Sequence, residues 1–248
     1  MPGWKKFGQK GPEYAGSGSG GGGTTYGLPR FAQATFMSRF PFAEITLDDP
    51  ALPVNVLLRA WSPFVPGDSY HSCLPVAALE FSFRNTGADS LDCVYSFNAR
   101  NFMARGDGKL SSVETLSNGI SFGQKPLPDK PHEEGYFSAV SPDANASANG
   151  RWFRGGWFDA LTMIWKDVAS GSTGNRPAPA GGGPSPGASL MVPFALAPGE
   201  SRTVTVLFSW YVPASDIRVA PTPWGDSTGD CASDCSCPTT IKKNQTSN

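Results

Sequence analysis

Carboxylates are the side chains of this sequence that could carry out acid–base chemistry. They occur as the pairs Asp48–Asp49 and Glu133–Glu134, and as a looser group of Asp226, Asp230 and Asp234. Hydrolysis of a glycosidic bond needs two carboxyl groups that face each other across the sugar, about 5–10 Å apart. Neighbouring residues of a strand point to opposite sides, so Asp48–Asp49 cannot supply this geometry alone, and the following Pro50 favours a turn. We therefore predict no catalytic residue in this chain.

Histidine and cysteine give no stronger indication of a reactive site. His71 and His132 lack the local motif of a nucleophilic triad, so we expect each on a polar surface loop. Cys231, Cys235 and Cys237 offer three thiols, whereas a structural zinc site needs four ligands. The phosphate-binding motifs of nucleotide enzymes are missing as well. We expect no metal and no cofactor.

Aromatic side chains are concentrated at two places. Trp61 and Phe64 lie in WSPFVP, and four rings lie in RWFRGGWFDA at residues 151–160. Exposed tryptophans could stack on a sugar, as they do in carbohydrate-binding modules. Large aromatic residues are more often buried against a sheet or a partner domain. We favour burial and keep sugar binding as an alternative.

Charge and composition exclude several classes of protein. The chain has 20 Lys and Arg against 21 Asp and Glu, so it has no positive field for nucleic acid. No apolar run reaches the roughly 18 residues of a transmembrane segment, and residues 1–14 lack the apolar segment of a signal peptide. The five cysteines are an odd number, which favours a reducing compartment. We therefore expect a cytoplasmic protein.

Alternating apolar residues predict strands through the middle of the chain. In Val76–Arg84, for example, Leu79, Phe81 and Phe83 fall on one face. No window of a dozen residues shows a helical pattern, and the turn formers at 85–90 predict a hairpin. Further strands are predicted at Ala43–Leu47, Val54–Trp61, Leu91–Phe97, Ile120–Gln124, Tyr136–Val140, Asp159–Lys166 and Thr203–Trp210. The predicted fold class is all-β, an antiparallel β-sandwich of two sheets.

Low-complexity segments set the predicted domain boundaries. Residues 1–25 contain GSGSGGGG and predict a flexible tail, and the polar, cysteine-containing residues 226–248 predict a second one. The sandwich would then occupy residues 26–225. Within it, the segment RPAPAGGGPSPGAS at 176–189 predicts a surface loop insertion rather than a domain boundary.

Three stretches of the chain resemble a known family of enzymes. They are FPFAEITLDDPALPVNVLLRAWSPFVPGDSYHSCLPVAALEFSFRNTG at 40–87, WFDALTMIWKDVASG at 157–171 and LAPGESRTVTVLFSWYVP at 196–213. In this order they are similar to the N-terminal domain of glycoside hydrolase family 116, the non-lysosomal glucosylceramidases and β-glucosidases. The first stretch is the most specific, because Pro53, Ser62–Phe64, Pro66 and Leu74–Pro75 recur at fixed spacing.

The resemblance implies a non-catalytic β-sandwich that packs on an (α/α)6 catalytic domain, which this chain does not contain. In the family, that helical domain carries the glutamate nucleophile and the aspartate acid/base of a retaining enzyme. No position here matches those motifs, so we expect this chain to be inactive alone. The implied substrate of the full-length relative is a β-glucoside or glucosylceramide, and the resemblance allows peripheral association with a membrane.

Two aromatic and proline-rich segments are our candidates for the contact with such a catalytic domain. Prolines fix the backbone, so a loop that carries them can pack on a partner at little ordering cost. The candidate interface residues are Trp61, Ser62, Pro63, Phe64, Pro66, Trp152, Phe153, Trp157 and Phe158. Two alternatives remain open: a stand-alone carbohydrate-binding module, and a structural sandwich without a ligand.

Overall fold

The computed structural model describes residues 31–154 and 160–215 of the chain. The predicted tails, 1–25 and 226–248, lie outside the described residues, as do the ends of the predicted sandwich at 26–30 and 216–225. The strands are β1 (Gln33–Arg39), β2 (Phe42–Asp48), β3 (Val54–Trp61), β4 (Val76–Asn85), β5 (Leu91–Arg100), β6 (Ser111–Leu116), β7 (Gly119–Gln124), β8 (Gly135–Val140), β9 (Ser147–Asn149), β10 (Gly187–Leu196) and β11 (Ser201–Tyr211). The helices are α1 (Ser69–Ser72), a 3-10 turn at Pro131–Glu133 and α2 (Ala160–Ala169).

The described strands form two antiparallel sheets, which confirms the predicted fold class. The larger sheet has eight strands in the order β1-β2-β3-β4-β11-β8-β7-β6, and the smaller has three in the order β5-β10-β9. Every pairing within the two sheets is antiparallel. The core between them draws on β4 to β11 and on no residue of β1 to β3. The first three strands therefore extend the larger sheet beyond the core.

Strand alternation explains how the core is filled. Along β10, Leu190, Val192 and Leu196 are fully buried between the sheets, and Val204 and Val206 of β11 face them. Because side chains alternate between the faces of a strand, one face of each strand supplies the core while the other is free for different contacts. The predicted inward residues Leu91, Cys93, Tyr95 and Phe97 of β5 do pack against this core. Burial raises the pKa of the Tyr95 hydroxyl well above its ordinary value.

The predicted strand at Asp159–Lys166 is wrong, because Ala160–Ala169 is helix α2. This segment is rich in strong helix formers such as alanine, leucine, methionine and lysine. The side chain of Ile164 is buried with Trp152, and Leu161 and Val168 pack against both. Leu161, Ile164 and Val168 follow the spacing of one helical face rather than the alternation of a strand. The helix thus adds a third, partial layer to the sandwich.

The predicted hairpin at 85–90 is also wrong, because β4 belongs to the larger sheet and β5 to the smaller. The segment is a crossover between the two sheets. The buried side chain of Asn85 stabilises this corner. Its Nδ2 donates to the carbonyl oxygens of Asp89 (2.8 Å), Leu196 (3.1 Å) and Ala197 (3.2 Å), and its Oδ1 accepts from the backbone N–H of Gly87 (2.8 Å). Asn85 thereby links the crossover from β4 to β5 with the return from β10 to β11.

The predicted loop insertion at 176–189 is a loop only as far as Pro186, since β10 begins at Gly187. Two arginines tie this loop to the segment before α2. Arg151 Nε donates to the carbonyl of Pro177 (3.0 Å), and Arg154 Nη1 donates to the carbonyls of Gly181 (3.0 Å) and Gly183 (2.5 Å). The low-complexity sequence is therefore held by side chains from elsewhere in the chain.

Candidate functional site

The loop between β3 and β4 contains the first group of predicted interface residues, and hydrogen bonds within the loop stiffen it. Ser72 Oγ accepts from the N–H of Val65 (2.9 Å) and donates to the carbonyl of Val65 (3.1 Å). Asp68 caps α1, because its Oδ1 accepts from the N–H of His71 (3.0 Å) and its Oδ2 contacts His71 Nδ1 (2.6 Å). Two hydrogen bonds from His71, the larger effect coming from its backbone N–H and the smaller from its side chain, lower the pKa of the Asp68 carboxyl.

This loop and the neighbouring β1–β2 turn present a group of aromatic residues at one end of the larger sheet. We call the group the aromatic end: Phe40, Phe42, Trp61, Phe64 and Tyr70. The rings of Phe40 and Phe64 meet edge to face with centroids 4.7 Å apart, yet the two residues stay 78% and 47% exposed. Phe42 pairs with Trp61 across β2 and β3. The Trp61 indole N–H donates to Glu80 Oε1 (3.1 Å), which fixes the ring orientation.

A hollow of about 310 Å3 lies beside the aromatic end. Trp61 and Pro63 border it on one side, and Val76, Ala78 and Leu207 line it within the sheet. The small side chain of Ala78 stands between Trp61 on β3 and Leu207 on β11 in the sheet register. The hollow is therefore formed by a short side chain between taller apolar neighbours.

The second group of predicted interface residues is placed differently. Trp152 is only 2% exposed, since its N–H donates to Ser185 Oγ (3.2 Å) and its indole Nε1 donates to Ser189 Oγ (2.9 Å). It packs with α2 on the smaller sheet, so it is absent from the exposed surface. Phe153 is half-buried. Trp157 and Phe158 lie outside the described residues.

Two of the side chains considered for acid–base chemistry, Asp49 and Glu134, take part in structural bonds, whereas Asp226, Asp230 and Asp234 lie outside the described residues. Asp49 is buried, and its Oδ1 and Oδ2 accept from the N–H groups of Ala51 (2.9 Å) and Ala32 (3.1 Å), which confirms its role in a turn. Glu134 Oε1 accepts from the Tyr136 hydroxyl (3.2 Å). Within residues 31–154 and 160–215, no group of three or more His, Cys, Asp and Glu side chains could hold a metal ion. The cysteine group at 231–237 lies outside the described residues.

Strands β6, β7, β8 and β11 carry a second candidate surface, on the face of the larger sheet that points away from the core. Tyr211 and Tyr136 stand opposite each other in register, with ring centroids 6.3 Å apart and ring planes 27° apart. Burial, together with the hydrogen bond to Glu134, raises the pKa of the Tyr136 hydroxyl, so it stays a donor. Sequence reasoning missed this pair, because the two tyrosines are far apart in the chain and only the sheet order brings them together.

None of the helices in the described ranges has the length and apolar character needed to cross a membrane.

These observations define the class of protein as a two-sheet antiparallel β-sandwich domain with an aromatic surface at one end. The family follows from sequence comparison. Residues 4–225 match the family described as "beta-glucosidase 2, glycosyl-hydrolase family 116 N-term". The chain therefore belongs to this family of N-terminal domains, as the resemblance implied. Among curated proteins, none matches the chain.

Similar solved structures include larger proteins of several kinds. A putative kojibiose phosphorylase from the human microbiome has 11% identity and a TM-score of 0.35, with 68% of this chain and 17% of that chain covered. The GH36 alpha-galactosidase AgaB from Geobacillus stearothermophilus has 13% identity and a TM-score of 0.32, with 75% and 26% covered. A TPR-domain containing protein from Parabacteroides distasonis has 7% identity and a TM-score of 0.35, with 79% and 37% covered. The chain thus spans well under half of each, and similarity this low carries no argument about function.

Proposed function

We propose that this chain is the non-catalytic N-terminal sandwich of a β-glucosidase or glucosylceramidase-like glycoside hydrolase, and that it supports an (α/α)6 catalytic domain. The aromatic end is the observation that carries the proposal. Phe40 and Phe64 are large apolar side chains that pack on each other while most of Phe40 faces solvent. Contiguous exposed apolar surface of this kind is typical of an interaction site.

The shape of the aromatic end suits a partner with a firm surface. Pro63 and Pro66 restrict the loop backbone, and the bonds among Val65, Asp68 and Ser72 hold its fold, so docking would cost little conformational entropy. A buried aromatic side chain removes about 150–250 Å2 from water, and Phe40, Phe42, Phe64 and Tyr70 are 78%, 47%, 47% and 66% exposed, so they can still bury roughly 360–600 Å2. With a similar area on the partner, this falls within the roughly 600–1,500 Å2 of an interface between domains. The apolar hollow beside Trp61 can accept one projecting side chain of the partner.

An activity assay tests the assignment of catalysis to the partner domain. We expect the isolated 248-residue chain to leave an aryl β-glucoside intact. We expect hydrolysis only when a helical catalytic domain of the same family is present. Cleavage by the purified chain alone would show that this assignment is wrong.

A binding assay tests the interface itself. We expect the double variant Phe40→Ser/Phe64→Ser to bind a separately purified family 116 helical domain at least tenfold more weakly than the wild type, because aromatic residues dominate the energetics of interfaces. Phe36→Ser is the matched control, since Phe36 is 65% exposed but lies on β1, outside the aromatic end. Equal losses for the control and the double variant would contradict the proposed surface.

The substrate and the location are two further parts of this proposal, supported by the family and by the sequence. We propose a β-glucoside or glucosylceramide as the substrate of the assembled enzyme, reached through the catalytic domain. The cytoplasmic location expected from the sequence agrees with a thiol at Cys93 on the core side of β5, and peripheral membrane association remains part of this proposal. A structural sandwich without a partner or ligand would bind neither the helical domain nor a saccharide.

A further inference from the structure

The outer face of β11, β8, β7 and β6 carries two rows of side chains that run across the strands. The first row is Tyr211, Tyr136, Gly123 and Ser112, and the second is Ser209, Ser138, Ser121 and Glu114. We call these eight residues the shelf. With adjacent strands about 4.8 Å apart, each row extends over about 14 Å, which is long enough for a short oligosaccharide.

The first row is an aromatic platform. Tyr211 is 52% exposed and lies beside the nearly parallel ring of Tyr136. Gly123 makes room for the second ring, because a Cβ there would come within 3.0 Å of Tyr136 Cδ1 and 2.6 Å of Ser112 Oγ. A side chain at 123 would therefore press on the Ser112 hydroxyl and on the edge of this ring, and the glycine leaves space for both. Two such rings offer a flat apolar surface with hydroxyl groups at its edge.

The second row supplies hydrogen-bonding groups next to the rings. The Ser138 hydroxyl donates to Ser121 Oγ (3.0 Å), and the Ser121 hydroxyl has a longer contact with the carbonyl of Phe137 (3.4 Å). Each serine hydroxyl is one donor and two acceptors. Ser209 and the exposed Glu114 complete the row at its two ends. The row can therefore exchange several hydrogen bonds with a ligand that carries both donors and acceptors.

The charges at the shelf distinguish among hydrophilic ligands. Glu114 belongs to the shelf, and Glu134 accepts from the Tyr136 hydroxyl at its edge. None of the eight shelf residues is a lysine or arginine. Carboxylates accept hydrogen bonds from hydroxyl groups but repel anions, so this surface disfavours phosphates and acidic sugars.

We propose that the shelf binds a neutral saccharide of several units, with the C–H face of one pyranose ring on Tyr211 and the hydroxyl groups of this and the following units on the serine row and Glu114. The shelf begins beside the loop of the aromatic end, since the N–H of Trp210 donates to the carbonyl of Pro75 (3.0 Å), and it extends away from that loop across β8, β7 and β6. This binding goes beyond the proposed support of a catalytic domain, because it needs no partner and no reaction.

NMR titration of the 15N-labelled 248-residue chain with cellotetraose, a neutral oligosaccharide, tests the proposal. We expect amide shifts in β6, β7, β8 and the end of β11, and a dissociation constant at least tenfold higher for Tyr211→Ala. Phe36→Ala is the matched control, because Phe36 is an aromatic residue on β1 that is 65% exposed and lies outside both the shelf and the aromatic end, and it should leave the affinity unchanged. Glu114→Ala removes an exposed acceptor outside the core and should weaken binding several-fold.

Four results would overturn the proposal. They are the absence of any shift at millimolar cellotetraose, shifts confined to the loop at 62–75, equal affinity for an acidic oligosaccharide such as tetragalacturonate, and equal losses in Tyr211→Ala and Phe36→Ala. A thermal melt of each variant shows whether it is folded. Because both aromatic side chains are exposed, a change in folding is expected for neither. None of these results bears on the interface test, which uses variants of Phe40 and Phe64 and a helical partner.

Discussion

Asn85 is the residue at which the two-sheet topology can be tested most directly. Its side chain bonds to both crossovers between the sheets, through the carbonyls of Asp89 on one and of Leu196 and Ala197 on the other. Its backbone joins the same corner, since its N–H donates to the carbonyl of Glu200 (2.9 Å) and its carbonyl accepts from Gly199 (3.1 Å). We predict that Asn85→Ala is strongly destabilising although Asn85 is a polar residue at the end of a strand.

The structure sets the expected size of this loss. Two amide hydrogens are shared among three carbonyl oxygens, and the bond to Leu196 is buried. A buried polar group left without a partner costs about 1–3 kcal/mol, and each remaining hydrogen bond contributes about 0.5–1.5 kcal/mol. We expect Asn85→Ala to lower the free energy of unfolding by about 3–4 kcal/mol. In a domain of this size this corresponds to a fall in Tm of about 10 °C.

Urea denaturation of the wild type and the variant measures this difference. Asn55→Ala on the neighbouring strand β3 is the control, because Asn55 is exposed, and it should change stability by less than about 0.5 kcal/mol. A loss below about 1 kcal/mol in Asn85→Ala, or equal losses in both variants, would refute the role of Asn85 at the corner.

Asn85→Asp separates the donor role of the side chain from its size. The carboxylate still accepts from Gly87, but three carbonyl oxygens would then face a buried negative charge. Desolvation and these carbonyls would raise the pKa of the introduced carboxyl above its unfolded value, so the folded state would bind the proton more tightly. Relative to the wild type at the same pH, Asn85→Asp should therefore become more stable as the pH falls from 7 to 4. A difference in the free energy of unfolding between Asn85→Asp and the wild type that does not change with pH would contradict this account.

Two further predictions concern other parts of the sandwich. Ile164→Ala should lower the free energy of unfolding by about 2–4 kcal/mol and increase hydrogen exchange across α2, because Ile164 is buried with Trp152. Met163→Ala, at the exposed preceding position, should lower it far less. Similar losses in the two variants would contradict the packing of this helix. Burial opposes ionisation of Asp143, but the N–H of Asn145 and the side chain of Arg202 (Nη2 to Oδ2, 2.5 Å) outweigh it and lower its pKa. Asp143→Asn should therefore lower the free energy of unfolding by about 1 kcal/mol at pH 7. This difference between variant and wild type should shrink as the pH falls below about 3.9, the ordinary pKa of aspartate. A difference that persists at acid pH would contradict the ion pair.

Strand positions could be predicted from the sequence where alternation was long and uninterrupted. The residues Leu79, Phe81 and Phe83 predicted to share one face of β4 do so, with Phe83 packed on the core. Strand β10 was missed although Leu190, Val192, Phe194 and Leu196 alternate, because the glycines and prolines at 176–189 predicted a loop that overlaps the start of the strand. The structure accommodates Pro193 because it lies beyond the three residues that pair with β9, where β10 has one neighbour and a proline is tolerated.

The candidate surfaces were predictable to different degrees. Phe64 and its prolines form a local cluster, so the sequence alone indicated an exposed, stiff loop. Its contact with Phe40 depends on the pairing of β1 with β2 and could not be read from spacing. Trp152 could not be placed from the sequence, because a cluster of aromatic residues is typical both of an interface and of a buried core. Only the packing of α2 on the smaller sheet distinguishes the two.

The sequence by itself determined which residues alternate, and hence that strands with one apolar face must pair and bury that face. It also determined the family, through motifs that a comparison of sequences can match. The tertiary structure alone decided which sheet each strand joins, that residues 160–169 form a helix, and that tyrosines 75 residues apart stand side by side. The physical reason is that alternation and propensity act within a few residues, whereas strand order and the choice between helix and strand in a short apolar segment depend on contacts between distant parts of the chain.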